Sequence, residues 1–324
     1  MTETNQPAKK EIHFVEILKR AAEIVWRNRF LLWFGVLVAL GSPGSFNVGN
    51  SEDWNRNGGE EAVKNFMTSH WQLVLAVAII LFAVGVVLFL LSLVGKAGLV
   101  KSVNIISQGR TTNFREGWKF GKKCLWKLFR LFLLFFITVF VVFLVLGIPV
   151  VYLIATQSWV SAILVGILAI AIFIPLIFVL SLTNAFAEFY IILSDLKVWS
   201  AVEAGYNLLL KNIVNSLVFG LLLMVVGMAA MFVFLMIVGL ALVILIPAGM
   251  LFYGLGKIIF GFFLAIAILL FLMIIFFASS IFQTYRITAW TLFFQEIAKV
   301  EKEELASEAE KAESEEIVAT PEKA

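Results

Sequence analysis

Residues 114–154 read FREGWKFGKKCLWKLFRLFLLFFITVFVVFLVLGIPVVYLI. The first part, Phe114–Arg130, carries six basic residues, one acid and five aromatic rings. The second part, Leu131–Ile154, carries no charged residue. At 1.5 Å per residue the second part forms a helix about 36 Å long, enough to cross about 30 Å of hydrocarbon. A basic, aromatic segment therefore leads directly into a membrane span.

On a helix at 100° per residue, Phe114, Gly117, Trp118, Gly121, Cys124, Leu125, Leu128 and Phe129 share one face. Arg115, Lys119, Lys122, Lys123, Lys127 and Arg130 occupy the other, with Phe120 and Trp126 on its flanks. This is the pattern of an amphipathic helix lying in the membrane interface, apolar side down. The six basic residues become candidate contacts for anionic lipid headgroups. The plainer reading is that the charges only fix topology and the rings only pack. Nucleic acid is not an expected partner: stacking on bases needs exposed rings, and here most rings share the apolar face.

The rest of the chain agrees with a membrane setting. Of 324 residues, 61% are hydrophobic and 15% charged, and mean hydropathy is +0.99. Soluble domains carry about 25% charged residues. The net charge of +3 is unevenly spread, because the segment from Gln295 onward holds ten Glu against four Lys. Its net is −6, which leaves +9 on the body. One cysteine, Cys124, permits no intramolecular disulfide, and on the apolar face it reads as a small hydrophobe. With only His13 and His70 as histidines, a His/Cys zinc site is not expected, nor is any cofactor.

The predicted fold is all-α, a polytopic membrane helix bundle of about six transmembrane helices with interfacial amphipathic helices on the cytoplasmic side. Residues 1–11 are polar and expected to be disordered. Residues 12–294 form the six-span domain, and 295–324 an acidic, disordered cytoplasmic tail. An amphipathic stretch, 12–29, precedes a short apolar run, Phe30–Leu40, which spans if it begins near Ile24. A signal peptide is the competing reading, but the apolar run starts too late for one. The other spans are Leu73–Val94, Leu131–Ile154, Val160–Leu182, Leu217–Ile246 and Ile258–Phe282. Pro149 and Pro175 should kink or end helices. Basic residues concentrate in 9–29, 95–130 and 197–211, so the positive-inside rule places both termini in the cytoplasm.

Three short segments occupy matching places: AAEIVWR at 21–27, GWKFGKK at 117–123 and GYNLLLK at 205–211. Each starts with a small residue, ends with a basic one, and precedes a pair of spans. The chain then reads as three units of amphipathic helix plus hairpin.

Chemistry-bearing residues are sparse. Glu188 is the ionisable group nearest the middle of a span, and Asn184 lies one turn before it on the same face. Together they are a candidate polar site facing the bundle interior. The blander and favoured reading puts Glu188 at the interface in water. Small residues such as Gly220, Gly227 and Gly239 let helices approach.

The amphipathic helix, the hairpin after it and the stretch FYIILSDLKVWSAVEAGYNLLLKN at 189–212 resemble a bacterial family. It is the multi-pass membrane domain joined to some bacterial glycerophosphodiester phosphodiesterases, with uncharacterised stand-alone relatives. The resemblance covers roughly residues 12–294. It implies a bundle of six or more helices in the bacterial cytoplasmic (inner) membrane. It does not imply phosphodiesterase activity, which belongs to a separate soluble barrel, and it assigns no functional residue.

The expected role is non-enzymatic: an integral membrane protein organising membrane lipids, anionic ones included, or protein partners. No catalytic, cofactor-binding or metal-ligating residue is assigned. A transporter or channel subunit is one alternative, and it would need a polar cavity near the midplane, which the apolar spans argue against. A lipid-modifying enzyme is another, and it would need a cluster around Glu188, Asp195 and His13.

Overall fold

The computed structural model describes residues 12–41 and 67–319, and all its regular structure there is α-helical. The helices are α1 (Phe14–Arg27), α2 (Leu31–Leu40), α3 (Trp71–Ser107), α4 (Phe114–Ala155), α5 (Trp159–Ser194), α6 (Val198–Lys211), α7 (Ile213–Leu255) and α8 (Lys257–Ala319). Five of them, α3, α4, α5, α7 and α8, are long and apolar enough to cross a membrane. The expected disordered segment 1–11 lies outside the described residues. So does most of the loop expected over 41–70.

The span expected from Ile24 does not form as one helix. α1 stops at Arg27, and α2 starts at Leu31 with only ten residues. The break sits at Asn28, whose side-chain amide donates to the Ile24 carbonyl at 2.9 Å. Asn212 ends α6 in the same way, donating to the Leu208 carbonyl at 3.3 Å. Such local side-chain bonds compete with the helical ladder. Asn28 and Asn212 each follow the basic residue that closes their segment, Arg27 and Lys211. The equivalent position after Lys123 is Cys124, which offers no such competition, and α4 runs through it unbroken.

The prolines do not end their helices either. α4 continues past Pro149, α5 past Pro175 and α7 past Pro247. Apolar spans tolerate proline because nearby groups and local adjustment re-satisfy the freed carbonyl. α8 also runs further than its apolar stretch. Ile297 is fully buried in the core, so the packed body extends beyond residue 294, and the helix continues to Ala319.

Packing is concentrated at one end of the bundle, which is also where the basic residues lie. Three short elements at this end each lie against a long helix. α1 packs on α8, the first turns of α4 pack on α3, and α6 packs on α5. The small residues at the head of the three matching segments are all buried there: Ala21, Gly117 and Gly205. An added Cβ at Gly205 would come within 2.8 Å of the Ala187 nitrogen. α2 fills the space between α3 and α8, with Leu31 and Phe34 fully buried. Aromatic contacts tie the rest together. Phe219 of α7 stacks on Phe293 of α8 at 4.3 Å, and Phe14 of α1 sits 6.2 Å from both rings.

Away from this end the helices diverge from the core. The most apolar window of each of the five long helices has essentially no residue buried by protein. α2 reaches only the level of Leu88 and Ser92 on α3, so the outer turns of α3 are exposed. Both the first described helix and residues 280–297 of α8 lie at the basic end, whereas α3 begins at the far end.

Candidate functional site at the basic end

The basic segment of α4 begins with an N-cap. The Asn113 side chain accepts from the Glu116 amide at 3.0 Å, and Thr112 donates to the Glu116 carboxylate at 2.9 Å. This fixes where the helix starts and therefore which face looks where. Gly117, Gly121, Cys124, Leu128 and Leu131 are buried. A Cβ at Gly117 would lie 2.7 Å from the Phe34 ring and from Ser102 Oγ, and one at Gly121 would overlap the Val94 carbonyl. The small-residue face is thus closed against α2 and α3. Phe114, Trp118, Leu125 and Phe129 of the same wheel face are only partly covered, and the segment is continuous with the apolar part of α4 that follows.

The opposite face keeps the charges outside. Arg115, Lys119, Lys122, Lys123 and Arg130 are exposed. None of the five pairs with a carboxylate among the described residues. Two of them rest against rings: Lys122 lies 5.8 Å from Trp118, and Arg130 lies 5.2 Å from Trp126. Lys101 of α3 joins this surface, 4.8 Å from Phe120. Lys127 differs from the other five. Its ammonium donates to the Asp195 carboxylate at 2.7 Å and to the Asp195 carbonyl at 2.9 Å. Asp195 ends α5 in the left-handed conformation, φ 55°, which Asp tolerates better than most residues. The Lys127 hydrogen bond, then its charge, holds the Asp195 carboxyl below its ordinary range.

Glu188 faces α3. It forms an ion pair with Lys96 and is only 14% exposed, against 32% for the lysine. Asn184 donates to the Glu188 carboxylate at 3.3 Å, and its own carbonyl oxygen is buried without a partner. The Glu188 carboxylate thus faces Lys96 of α3 and keeps a small exposure. A lysine from the facing helix compensates the half-buried acid, which sequence spacing within α5 does not reveal. The three groups considered for an enzymatic cluster are not gathered. Glu188 meets Lys96, Asp195 meets Lys127, and His13 lines a separate pocket of about 280 Å³ with Arg20, Gln295 and Glu296.

The sequence reading missed the polar lock beside this surface. Gln295 of α8 donates to Asn104 at 2.8 Å and accepts from Ser107 at 3.0 Å, and Arg20 donates to the Ser107 carbonyl at 2.9 Å. Three helices, α1, α3 and α8, meet in that network. A signal was present: Ser280, Thr284, Thr288, Thr291 and Gln295 recur at helical spacing along one face of α8. The first four are buried; the three threonines satisfy their hydroxyls on carbonyls one turn back, and Ser280 donates to the Leu32 carbonyl of α2.

Comparison with known proteins gives a family match. A model of a family of unknown function (DUF7544) matches residues 25–298. No curated protein and no solved structure matches. The chain belongs to that family, and nothing links the family to glycerophosphodiester phosphodiesterases.

Proposed function

We propose that this member of a family of unknown function is a non-enzymatic membrane scaffold that gathers anionic lipid headgroups at its basic end. The observation that carries the reading is the two-sided α4 segment. One side is closed against α2 and α3 through Gly117 and Gly121, and the other presents Arg115, Lys119, Lys122, Lys123 and Arg130 with no carboxylate partner. A rigid backing keeps those cations from collapsing onto the protein's own acids. Each basic residue near an anionic membrane surface contributes about 1 kcal/mol. Lys127, held by Asp195, contributes less than its neighbours.

The same reading sets the topology. The basic end faces the cytoplasm of a bacterial cell, following the positive-inside rule. The chain crosses six times, with the short apolar α2 supplying the crossing that precedes α3. Three units of amphipathic element plus hairpin make up the bundle. Supporting this are the buried small residue at the head of each segment, the paired breaks at Asn28 and Asn212, and the closure of α1 onto α8.

The test uses the full chain in bilayers mixing neutral and anionic phospholipid, with the lipid that stays with the protein counted after polymer extraction. The wild type should retain anionic lipid above its bulk fraction, less so at 1 M salt, where the Debye length falls to about 3 Å. Changing Lys119, Lys122 and Lys123 to Gln, together with Arg115→Gln, should bring retention close to bulk. Unchanged enrichment in that variant would remove the proposal. Topology is checked separately in a Cys124→Ser background: a cysteine at Ser158 should react with an impermeant thiol reagent on intact cells, and one at Ser194 only after permeabilisation.

A further inference from the structure

Between α7 and α8 lies a cleft of about 710 Å³, apart from the α4 surface. The two helices touch at Gly220 beside Trp290 and at Gly227 beside Phe282, where an added Cβ would sit 3.1 Å from the ring. Met224, Met228 and Met231 line the α7 side and remain more than half exposed, so the cleft opens sideways to the bilayer. Thioether side chains are flexible and polarizable, and suit an apolar guest of variable shape.

The cleft has one charged end. Arg286 lies in its wall one turn from Trp290, on the side nearer the basic end. Among the described residues its guanidinium has a single hydrogen-bond partner, Gln283 at 2.7 Å, and no carboxylate. A guanidinium has five N–H donors, so Arg286 can offer several to a group from outside the protein. A charge beside apolar helices without a protein counter-ion marks a place where an ion from outside is favoured. The planar fork matches a phosphate through two parallel bonds. Below it, the apolar wall from Met224 to Phe234 extends about 15 Å, half of a hydrocarbon core about 30 Å thick. That is the depth of one leaflet.

We infer that this cleft binds one anionic phospholipid, with its phosphate at Arg286 and an acyl chain along Met224, Met228 and Met231. The site is distinct from the α4 surface, which gathers headgroups without selecting a chain. Its specificity comes from one charge and one groove in fixed relation, where the α4 surface offers only summed charge.

The experiment is native mass spectrometry of the detergent-purified full chain with added phosphatidylglycerol, phosphatidylcholine or glycerol phosphate. One phosphatidylglycerol should bind about fivefold tighter than phosphatidylcholine, as expected for a single charge contact near a headgroup. Arg286→Gln, made in a chain whose Arg115, Lys119, Lys122, Lys123 and Arg130 are already Gln so that the α4 surface does not contribute, should reduce it to the phosphatidylcholine level. Ala230→Phe, which fills the groove without touching the charge, should weaken both lipids. Changing Lys119, Lys122, Lys123 and Lys127 to Gln should leave the single-lipid preference intact, and glycerol phosphate should not displace the lipid. Retained preference in Arg286→Gln, unchanged binding in Ala230→Phe, loss of the preference in the lysine variant, or displacement by glycerol phosphate would each overturn the inference.

Discussion

The basic end and the apolar arms of this bundle are made of similar residues and behave differently. Phe34 is fully buried at the basic end, whereas Phe140, in the middle of α4, is 52% exposed. Glycines show the same contrast. A Cβ on Gly121 would overlap the facing backbone, while one on Gly147 would meet nothing within 4 Å. Lipid tails are as apolar as leucine, so an apolar arm gains little by leaving lipid for protein. Close backbone approach and polar contacts must hold the helices together, and both are concentrated at the basic end. The arms there act as anchors, and the architecture is decided where the helices emerge.

The comparison breaks most sharply at Phe34. Phe34→Ala should lower stability by about 4 kcal/mol, because the ring fills the space between Gly98, Gly117 and Phe114. Phe140→Ala should cost less than about 1 kcal/mol. Denaturation of both variants in detergent, followed by circular dichroism, checks the pair, and equal losses would end the distinction between the regions. Next in size is Gly121→Leu, expected to cost about 3 kcal/mol by wedging α4 from α3. Gly147→Leu should stay within about 0.5 kcal/mol of wild type in the same assay.

Glu188→Gln should cost about 2 kcal/mol by leaving Lys96 without its counter-charge. That is below the 3–5 kcal/mol typical of fully buried pairs, since the lysine is partly exposed. Lys96→Met in the same chain should recover part of the loss, and a double-mutant cycle measures the coupling. The smallest effect belongs to Asp195. Its carboxyl is held low by Lys127, so its contribution is complete above about pH 4, the unfolded value, and fades as pH falls through the lower folded value. The melting-temperature gap between wild type and Asp195→Asn should be constant from pH 7 to about pH 5 and close under stronger acid. A gap that widens on acidification would reverse the sign assigned here.

Much of this was legible in the sequence and some was not, for physical reasons. The long helices follow from uninterrupted apolar runs, and the α4 segment's two faces follow from its helical spacing. The wheel could not say what covered the apolar face, because lipid and protein present the same apolar surface to Gly117 and Gly121. Asn28 was readable as a break once set beside Asn212, but an apolar run on its far side argued for one continuous span. The Glu188–Lys96 and Gln295–Asn104 pairs join residues far apart in the chain, and no local pattern names such partners. Arg286 stood in plain view just past an apolar run. Its meaning depends on the Met-lined wall of α7 opposite.

The packing of α1 and α2 against α8 has a consequence in time. Ser280 donates to the Leu32 carbonyl across 248 residues of chain. At about 5–20 residues per second of synthesis, Leu32 is made roughly 12–50 s before its partner. Until α8 arrives, the α8-facing sides of α1 and α2 have no permanent cover. On the proposed topology the nascent protein is therefore an open chain of helices through most of its synthesis, and it closes only when the last helix is delivered. Premature termination within α7 would leave that early surface uncovered, which gives a cell's membrane quality control a direct way to tell a finished molecule from an unfinished one.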